Sequence, residues 1–257
     1  MTDYLEVTEL AGDPVSTEQI ERLERRYFWA RNYCMGLDVH ELACGTAQGA
    51  ALLAQVARSF AASDGSEPML AIAKKHYGER ISLRKLDAQS VPLADLSQDV
   101  IILFEALYYL PDADAFFRRA YSVLRPNGVL LLATANKDLY DFNPSPHSYA
   151  YLGVSELSQR LGLLGFQVEI FGDTPLAAVS SLQKLLRPVK NLAAKLGWIP
   201  KSMAAKKLIK RLIFGKLSPM PVEIFYNKTR DIAPVPLTLG IPDQMHKVIL
   251  CSARKPA

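Results

Sequence analysis

Short apolar segments alternate with amphipathic ones along most of the chain, and this alternation limits the folds open to it. Apolar residues at helical spacing predict helices at 17–34, with Ser16 or Thr17 as its cap, and at 50–58, 67–77, 114–124 and 155–164, the last capped by Ser155. Between them, runs of strand-forming residues predict seven strands, at 39–43, 60–64, 81–86, 100–104, 129–134, 166–171 and 248–253. Strands that alternate with helices form a parallel sheet covered on both faces. The sequence therefore predicts an α/β fold with a doubly wound, seven-stranded sheet.

The spacing of the last two predicted strands indicates an insertion. Roughly 70 residues separate them, where a simple connection needs only a few. We predict four parts: an N-terminal helical cap at 1–35, the main sheet domain at 36–172, a basic helical insertion or lid at 173–245, and the last core strand at 246–257.

The charge of the chain is concentrated in this insertion. Ten basic residues and no acidic one lie between Lys184 and Lys216, so the rest of the chain has a net charge of −6, against +4 for the whole. Such a run favours an anionic partner, either a phosphorylated substrate or a membrane surface that 184–216 contacts peripherally, although a solvated basic face is equally compatible. Aromatic residues are not interleaved with these lysines, so nucleic acid is not expected as a partner.

Composition excludes several other classes of protein. A hydrophobic content of 49% and a charged content of 22% are typical of a globular domain. The apolar runs are too short to span a membrane, and the N-terminus lacks a signal sequence. Cys34, Cys44 and Cys251 are an odd number without metal-ligand spacing. We expect a reduced, cytoplasmic setting, and the sequence leaves the oligomeric state open.

Acidic residues end each of the first three predicted strands. Glu41 precedes a loop of small residues, 43–49, whose free backbone amides can bind polar groups of a ligand at the start of a helix. Asp64 follows 23 residues later, where an acid commonly holds the hydroxyls of a ribose. Asp87 can accept a hydrogen bond from an adenine amino group, and Met69 can pack on the ring. In a doubly wound sheet these three strand ends border one cleft.

Five ordered motifs in this region resemble those of class I S-adenosylmethionine (SAM)-dependent methyltransferases. They are Glu41-Leu42-Ala43-Cys44-Gly45-Thr46, Asp64-Gly65-Ser66-Glu67-Pro68-Met69-Leu70, Asp87-Ala88-Gln89-Ser90-Val91-Pro92, the stretch from Phe104 to Asp112, and Leu124-Arg125-Pro126-Asn127-Gly128-Val129-Leu130. More loosely, Arg26-Tyr27-Phe28-Trp29-Ala30 and Asn143-Pro144-Ser145-Pro146-His147 resemble methyltransferases of sugar and polysaccharide pathways.

The resemblance implies a Rossmann-like, SAM-binding domain and assigns roles along the cleft. The first loop would hold the methionine part of SAM, Asp64 the ribose, and Asp87 with the Ala88 amide the adenine, while Glu105 would lie beside the sulfonium. Ala43 and Ala47 depart from the family, because glycine is usual at both positions. The cofactor-binding residues so implied are Tyr27, Glu41, Ala43, Cys44, Gly45, Asp64, Gly65, Ser66, Met69, Asp87, Ala88 and Glu105.

The resemblance is less informative about catalysis. Some relatives carry a Glu and a His after the fourth strand, where this chain has Tyr108 and Tyr109, so we predict no metal. His147 is the candidate general base, since an imidazole titrates near neutral pH, and Tyr109 is a candidate to orient the acceptor. For each, an ordinary structural role is equally compatible.

The predicted function is methyl transfer from SAM to a small molecule, such as a sugar or a nucleotide- or lipid-linked sugar. Two alternatives stay open. One is a non-catalytic, SAM-binding regulatory protein, which the two alanines and the tyrosine pair favour. The other is a nicotinamide-dependent oxidoreductase, although the first loop supplies only Gly45 of the G-x-G-x-x-G pattern.

Overall fold

One mixed sheet organises the residues that the computed structural model describes, 10–176 and 217–257. The strands within those residues are β1 Pro14–Val15, β2 Asp38–Leu42, β3 Ser59–Asp64, β4 Ser82–Lys85, β5 Gln98–Phe104, β6 Leu124–Ala135, β7 Gln167–Pro175, β8 Ser218–Pro219, β9 Val235–Pro236 and β10 His246–Arg254. Eight of them form the sheet, in the order β4-β3-β2-β5-β6-β10-β7-β9, and the two short strands β1 and β8 pair separately.

Helices connect the parallel strands and cover both faces of the sheet. The helices described are α1 Thr17–Cys34, α2 Ala50–Ala54, α3 Glu67–Tyr77, α4 Ala113–Val123 and α5 Val154–Leu163. Ser16 caps α1, and its side chain and that of Gln19 form a capping box that satisfies backbone amides of the first turn.

Strands β2 to β6 run parallel, and the order in which they are added to the sheet reverses at the boundary between β2 and β5. From β2 it moves outward to β3 and β4, then returns to place β5 on the other side of β2. In open α/β sheets, a ligand cleft forms beyond the carboxyl ends of the strands at such a point. β10 lies antiparallel between β6 and β7.

The central strand β5 contributes to the core on both sides. Ile101 and Leu103 are fully buried beneath α4 and α5, whereas Ile102 and Phe104 face α1 on the opposite side. This alternation is the two-residue period of a strand, and it explains why the sequence there is a continuous apolar run. The core thus fixes both α1 and the end of β5 at the cleft.

All seven predicted strands are present, and the differences are local. The sheet gains an eighth strand, the two-residue β9, which pairs with the edge of β7. β6 begins at Leu124, before the predicted start, because the Pro126-Asn127-Gly128 turn is accommodated as an irregularity within the strand. Ser155 was the wrong cap for α5: the helix begins after Gly153, whose backbone amide donates to Glu156.

The insertion between the last two predicted strands is described in part. β7 ends at Pro175 and β10 begins at His246. The basic segment 184–216, with the roles considered for it, lies outside the described residues, and the four-part division of the chain stays a prediction. Among the helices that are described, none has the length and apolar character needed to cross a membrane.

Candidate active site

A large cleft opens at the carboxyl edge of the parallel strands, where the topology predicts it. It has a volume of about 1020 Å³. Its walls come from the loops after β2, β3, β4 and β5, from one face of α1, from the 143–149 loop and from Met220. Most of the sequence-predicted site residues line it.

The loop after β2 forms the floor of this cleft in an unusual backbone conformation. Ala43, Gly45 and Ala47 have φ values of 53°, 59° and 60°, in the left-handed region that favours glycine. The two alanines that depart from the family pattern are therefore held in a conformation that costs about 1 kcal/mol or more for a residue with a Cβ atom. The buried Tyr77 hydroxyl stabilises the loop by donating to the Ala47 carbonyl at 2.8 Å.

Tyr27 of α1 packs against the end of this loop and covers Glu41. A Cβ atom on Gly49 would lie 2.2 Å from the Tyr27 ring, so only glycine permits the contact. The Tyr27 hydroxyl donates a hydrogen bond to Glu41 Oε1. Burial raises the pKa of Glu41 to about 7, although the Tyr27 hydrogen bond opposes the shift. Glu41 thus lies behind Tyr27 and supports the wall of the cleft, instead of lining it as predicted.

Asp64 joins the loop after β3 to the loop after β2. Its two carboxylate oxygens accept hydrogen bonds from the backbone amides of Gly45 and Ser66, each at 2.8 Å. Burial raises the pKa of Asp64. Gly65, Ser66 and Met69 line the cleft beside it, and Ser66 also caps α3. A carboxylate held this way keeps lone pairs available for ligand hydroxyls.

The loop after β4 forms the next part of the wall. Asp87 is exposed and accepts a hydrogen bond from the Gln89 amide at 3.0 Å, while Ala88 is buried. The Gln89 side chain donates to the Asp112 carbonyl at 2.8 Å and accepts from the Asp112 amide at 3.0 Å. These bonds tie the loop to the segment after β5, and Asp87, Ala88 and Gln89 all line the cleft.

Glu105 meets two arginines of α1 that the sequence reasoning missed. Glu105 has a left-handed φ of 52°, and its Oε1 lies 3.5 Å from Arg26 Nη1 and 3.8 Å from Arg22 Nη2. Gln19, Arg22, Leu23, Arg26 and Tyr27 all line the cleft, at the spacing of one helix face. The helical spacing of these residues is present in the sequence, but only the position of Glu105 in the fold shows that Arg22 and Arg26 belong to the site.

Tyrosines form the far wall of the cleft. Tyr108 stacks on Tyr151, with ring centroids 4.2 Å apart, and meets Tyr109 edge-on at 4.6 Å. The Tyr108 hydroxyl donates to Glu105 Oε2 at 3.2 Å, and the Tyr109 hydroxyl lies 2.6 Å from Ser145 Oγ. Tyr108, Tyr109 and Ser145 line the cleft together, so the predicted position of Tyr109 at the site agrees with the geometry.

His147 does not join them. Its loop borders the cleft through Asn143, Ser145 and Tyr149, whereas His147 itself is exposed, with a left-handed φ of 65°, and is not a lining residue. The turn that brings Ser145 to Tyr109 directs the next residues away. The geometry therefore gives no support to His147 as the general base.

The other histidines have partners outside the cleft. His40 Nε2 lies 3.0 Å from Ser63 Oγ in the sheet, and burial lowers the pKa of His40 to about 4. His76 pairs with Glu223, and His246 pairs with Asp243. Within residues 10–176 and 217–257, no three His, Cys, Asp or Glu side chains are grouped so that they could hold a metal ion.

The end of the insertion reaches back to the cleft. Met220 is buried and lines it, and its backbone amide donates to the Asp13 carbonyl at 2.7 Å, beside the paired strands β1 and β8. The Ile224 amide donates to the Gln48 carbonyl at 2.9 Å, which attaches this segment to the loop after β2.

Comparison with known proteins agrees with the motifs and the fold. Residues 40–132 match the methyltransferase domain family. A probable SAM-dependent methyltransferase of Mycolicibacterium smegmatis is 32% identical over 171 residues, which cover 61% of this chain and 66% of that protein. A probable SAM-dependent methyltransferase of Mycobacterium tuberculosis is 33% identical over 137 residues, which cover 52% of this chain and 50% of that protein. The match thus spans between half and two thirds of the length of these relatives.

A solved SAM-dependent methyltransferase from Archaeoglobus fulgidus shares the fold, with a TM-score of 0.58 at 17% identity, covering 93% of this chain and 94% of that one. Together with the domain match and the ordered motifs, this places the chain in the class I SAM-dependent methyltransferases, whose cofactor is S-adenosylmethionine.

The residues present fit that cofactor. The hydroxyl of Thr46 is buried in the cleft wall with no hydrogen-bond partner among the described residues, as expected of a group that awaits a ligand. The loop after β2 would hold the methionine part, Asp64 the ribose hydroxyls, and Asp87 with Ala88 the adenine. The loops that carry these residues follow β2, β3 and β4, which are neighbours in the sheet, and the methionine, ribose and adenine parts of the cofactor are joined in that same order.

Proposed function

We propose that this protein transfers the methyl group of SAM to a hydroxyl of a small-molecule acceptor, a sugar or a nucleotide- or lipid-linked sugar. One observation carries the proposal: the cleft extends beyond the residues that fit the cofactor into a second half lined by Tyr109, Ser145 and Tyr149. Aromatic faces pack against rings, and the hydroxyl groups can orient a polar acceptor.

Bound SAM supplies an electrophilic methyl group, so the protein contributes mainly alignment and exclusion of water. The paired hydroxyls of Tyr109 and Ser145 would orient the acceptor by donating to and accepting from it. Tyr27 and Met220, both buried, would shield the reacting atoms from solvent.

Proton transfer from the acceptor would fall to Glu105. Four acidic residues line the described cleft, and Glu105 is the one that follows β5, where the resemblance places the sulfonium; its Oε2 accepts the Tyr108 hydroxyl. No histidine lines the cleft within the described parts of the chain. We infer that Glu105 Oε2, directly or through the Tyr108 hydroxyl, receives the proton that leaves the acceptor.

Transfer of labelled methyl groups from SAM to a panel of sugars and nucleotide sugars tests this function. Tyr109→Phe should lower kcat/KM by roughly tenfold, the loss of one to two hydrogen bonds in the transition state, and leave the affinity for S-adenosylhomocysteine unchanged. Tyr140→Phe is the matched control, because Tyr140 is exposed and lies outside the cleft.

Binding of S-adenosylhomocysteine without methyl transfer to any acceptor would favour the alternative of a SAM-binding regulatory protein. The nicotinamide-dependent alternative is not retained, because the domain match and the relatives are SAM-dependent methyltransferases.

A further inference from the structure

Arg22 and Arg26 bring more positive charge into the cleft than their surroundings neutralise. Both lie on the cleft-facing side of α1, and both approach the same carboxylate, that of Glu105, at 3.8 and 3.5 Å. These separations are longer than a charge-assisted hydrogen bond, which is typically below about 3 Å. The Nε atoms of both arginines, like that of Arg25 on the same helix, are buried without a hydrogen-bond partner among the described residues, so it is the long distance to a carboxylate that sets this pair apart. A buried guanidinium donor without an acceptor is costly, so its retention requires a reason.

Arg25 shows how an arginine of the same helix looks when its role is structural. It does not line the cleft, its Nε forms a 2.9 Å ion pair with Asp173 Oδ1 without the geometry of a hydrogen bond, and its Nη2 donates to Thr174 Oγ1 at 2.8 Å. Its charge is thus matched at hydrogen-bonding distance by a buried carboxylate. Arg22 and Arg26, one turn apart on the other face, share one carboxylate loosely.

The pair lies at Glu105, which follows β5 and accepts the Tyr108 hydroxyl, whereas the residues assigned to the ribose and the adenine follow β3 and β4. Asp64, Glu67 and Asp87 line the half that fits the cofactor, with Lys85 paired to Glu67 at 3.2 Å. On the other half, Glu105 is the one described acid, against two guanidinium groups. The tyrosines stand on this same half. A ligand there meets flat aromatic surfaces and a net positive charge.

We propose that Arg22 and Arg26 form an oxyanion subsite and that the acceptor carries a carboxylate or phosphate group, which this pair binds while its ring packs on the tyrosines. This rests on the proposed function and specifies its substrate class. Guanidinium groups suit the task because their planar forks match the geometry of both oxyanions. From the sequence, an anionic partner was expected at the basic segment 184–216. The two arginines proposed here instead line the cleft.

Calorimetry with paired probes tests the subsite without requiring turnover. With S-adenosylhomocysteine saturating, 4-hydroxybenzoate is compared with the neutral 4-hydroxybenzamide, and glucose 1-phosphate with glucose. The wild-type protein should bind at least one anionic probe roughly tenfold or more tightly than its neutral counterpart, because two charge-assisted hydrogen bonds are at stake. A preference for 4-hydroxybenzoate would identify a carboxylate as the bound group, and a preference for glucose 1-phosphate would identify a phosphate.

The double variant Arg22→Gln, Arg26→Gln should lose this preference, and Arg22→Lys, Arg26→Lys should retain part of it, since the charge remains without the planar fork. Arg31→Gln is the matched control: it removes one charge from the same helix, at a residue that stacks over Tyr226 outside the cleft. Thermal unfolding checks that each variant is folded.

Two results would overturn the proposal. Equal affinity of the wild-type protein for anionic and neutral probes would show that the arginines only balance Glu105. A loss of S-adenosylhomocysteine affinity in the Gln variant, with binding of 5′-methylthioadenosine unchanged, would assign the pair to the cofactor's own carboxylate. Anion preference without methyl transfer would contradict the proposed function and leave the subsite standing.

Discussion

Replacing Glu41 with Gln should make the protein more stable at alkaline pH and change little at acidic pH. Glu41 is 1% exposed, and burial raises its pKa to about 7 from an ordinary value of 4.5. Between these two pKa values the folded protein holds a proton that the unfolded chain has released. Folding stability therefore falls as the pH rises through this window, and the loss is complete above about pH 7.

The pKa difference fixes the size of the effect. At about 1.4 kcal/mol for each pKa unit, ionising Glu41 in the folded protein costs about 3 kcal/mol. Gln keeps an oxygen that can accept from the Tyr27 hydroxyl, and it never ionises. Any penalty for the substitution itself is the same at all pH values, so the comparison of two pH values isolates the ionisation.

The measurement is denaturant unfolding of the ligand-free protein at about pH 5 and about pH 8. Relative to the wild type, Glu41→Gln should gain about 2–3 kcal/mol of unfolding free energy between the two conditions. Glu67→Gln is the control, because the Glu67 side chain is 59% exposed in an ion pair with Lys85 that contributes little to stability. A difference between wild type and Glu41→Gln that is the same at both pH values would refute the reasoning.

Four further changes test the cofactor site. Asp64→Ala should weaken S-adenosylhomocysteine binding by about 1–3 kcal/mol in calorimetry, and unchanged affinity would contradict the ribose assignment. Gly49→Ala should lower both Tm and cofactor affinity, because its methyl group would displace the Tyr27 ring; normal values for both would show that the loop adapts. Ala43→Gly should leave Tm nearly unchanged, since relief of the left-handed backbone offsets the lost entropy, whereas the control Ala51→Gly in a helix should cost about 1 kcal/mol; equal losses would refute the strain argument. Methyl transfer should survive excess chelator, and a requirement for added magnesium would contradict the predicted metal independence.

The sheet was predictable because its signals are local and redundant. The central strand β5 is a continuous apolar run, and Ser66 and Asp112 cap the helices α3 and α4 that follow β3 and β5. The cofactor half was predictable for the same reason, since Asp64 and Asp87 each follow directly from the end of a strand. Parallel topology then brings the strand ends together without further information.

The acceptor half depends on which way side chains point after the sheet has formed. His147 and Ser145 are two residues apart in one loop, and only the turn geometry decides that Ser145 faces Tyr109 while His147 faces solvent. Histidine is the residue type best suited to act as a general base, but that suitability alone did not predict that its side chain would line the cleft. Glu41, in β2, illustrates the same point: it was predicted to touch the cofactor, but the side chain of Tyr27 in α1 covers it.

The arginine pair and Tyr27 lie on the same helix, and together they suggest how the cleft would select and orient its acceptor. Leu23 and Phe28 pack α1 against the sheet, and its cleft-facing side presents Tyr27, which would contact the cofactor, together with Arg22 and Arg26, which would bind the acceptor. The same helix would thus supply both a cover for the cofactor, through Tyr27, and positive charge for the acceptor, through Arg22 and Arg26. An oxyanion on the acceptor would satisfy the buried donors of the arginines, and the ring of the acceptor would then pack on the tyrosines. Binding of the charged group would in this way orient the reacting hydroxyl, although no histidine lines the described cleft.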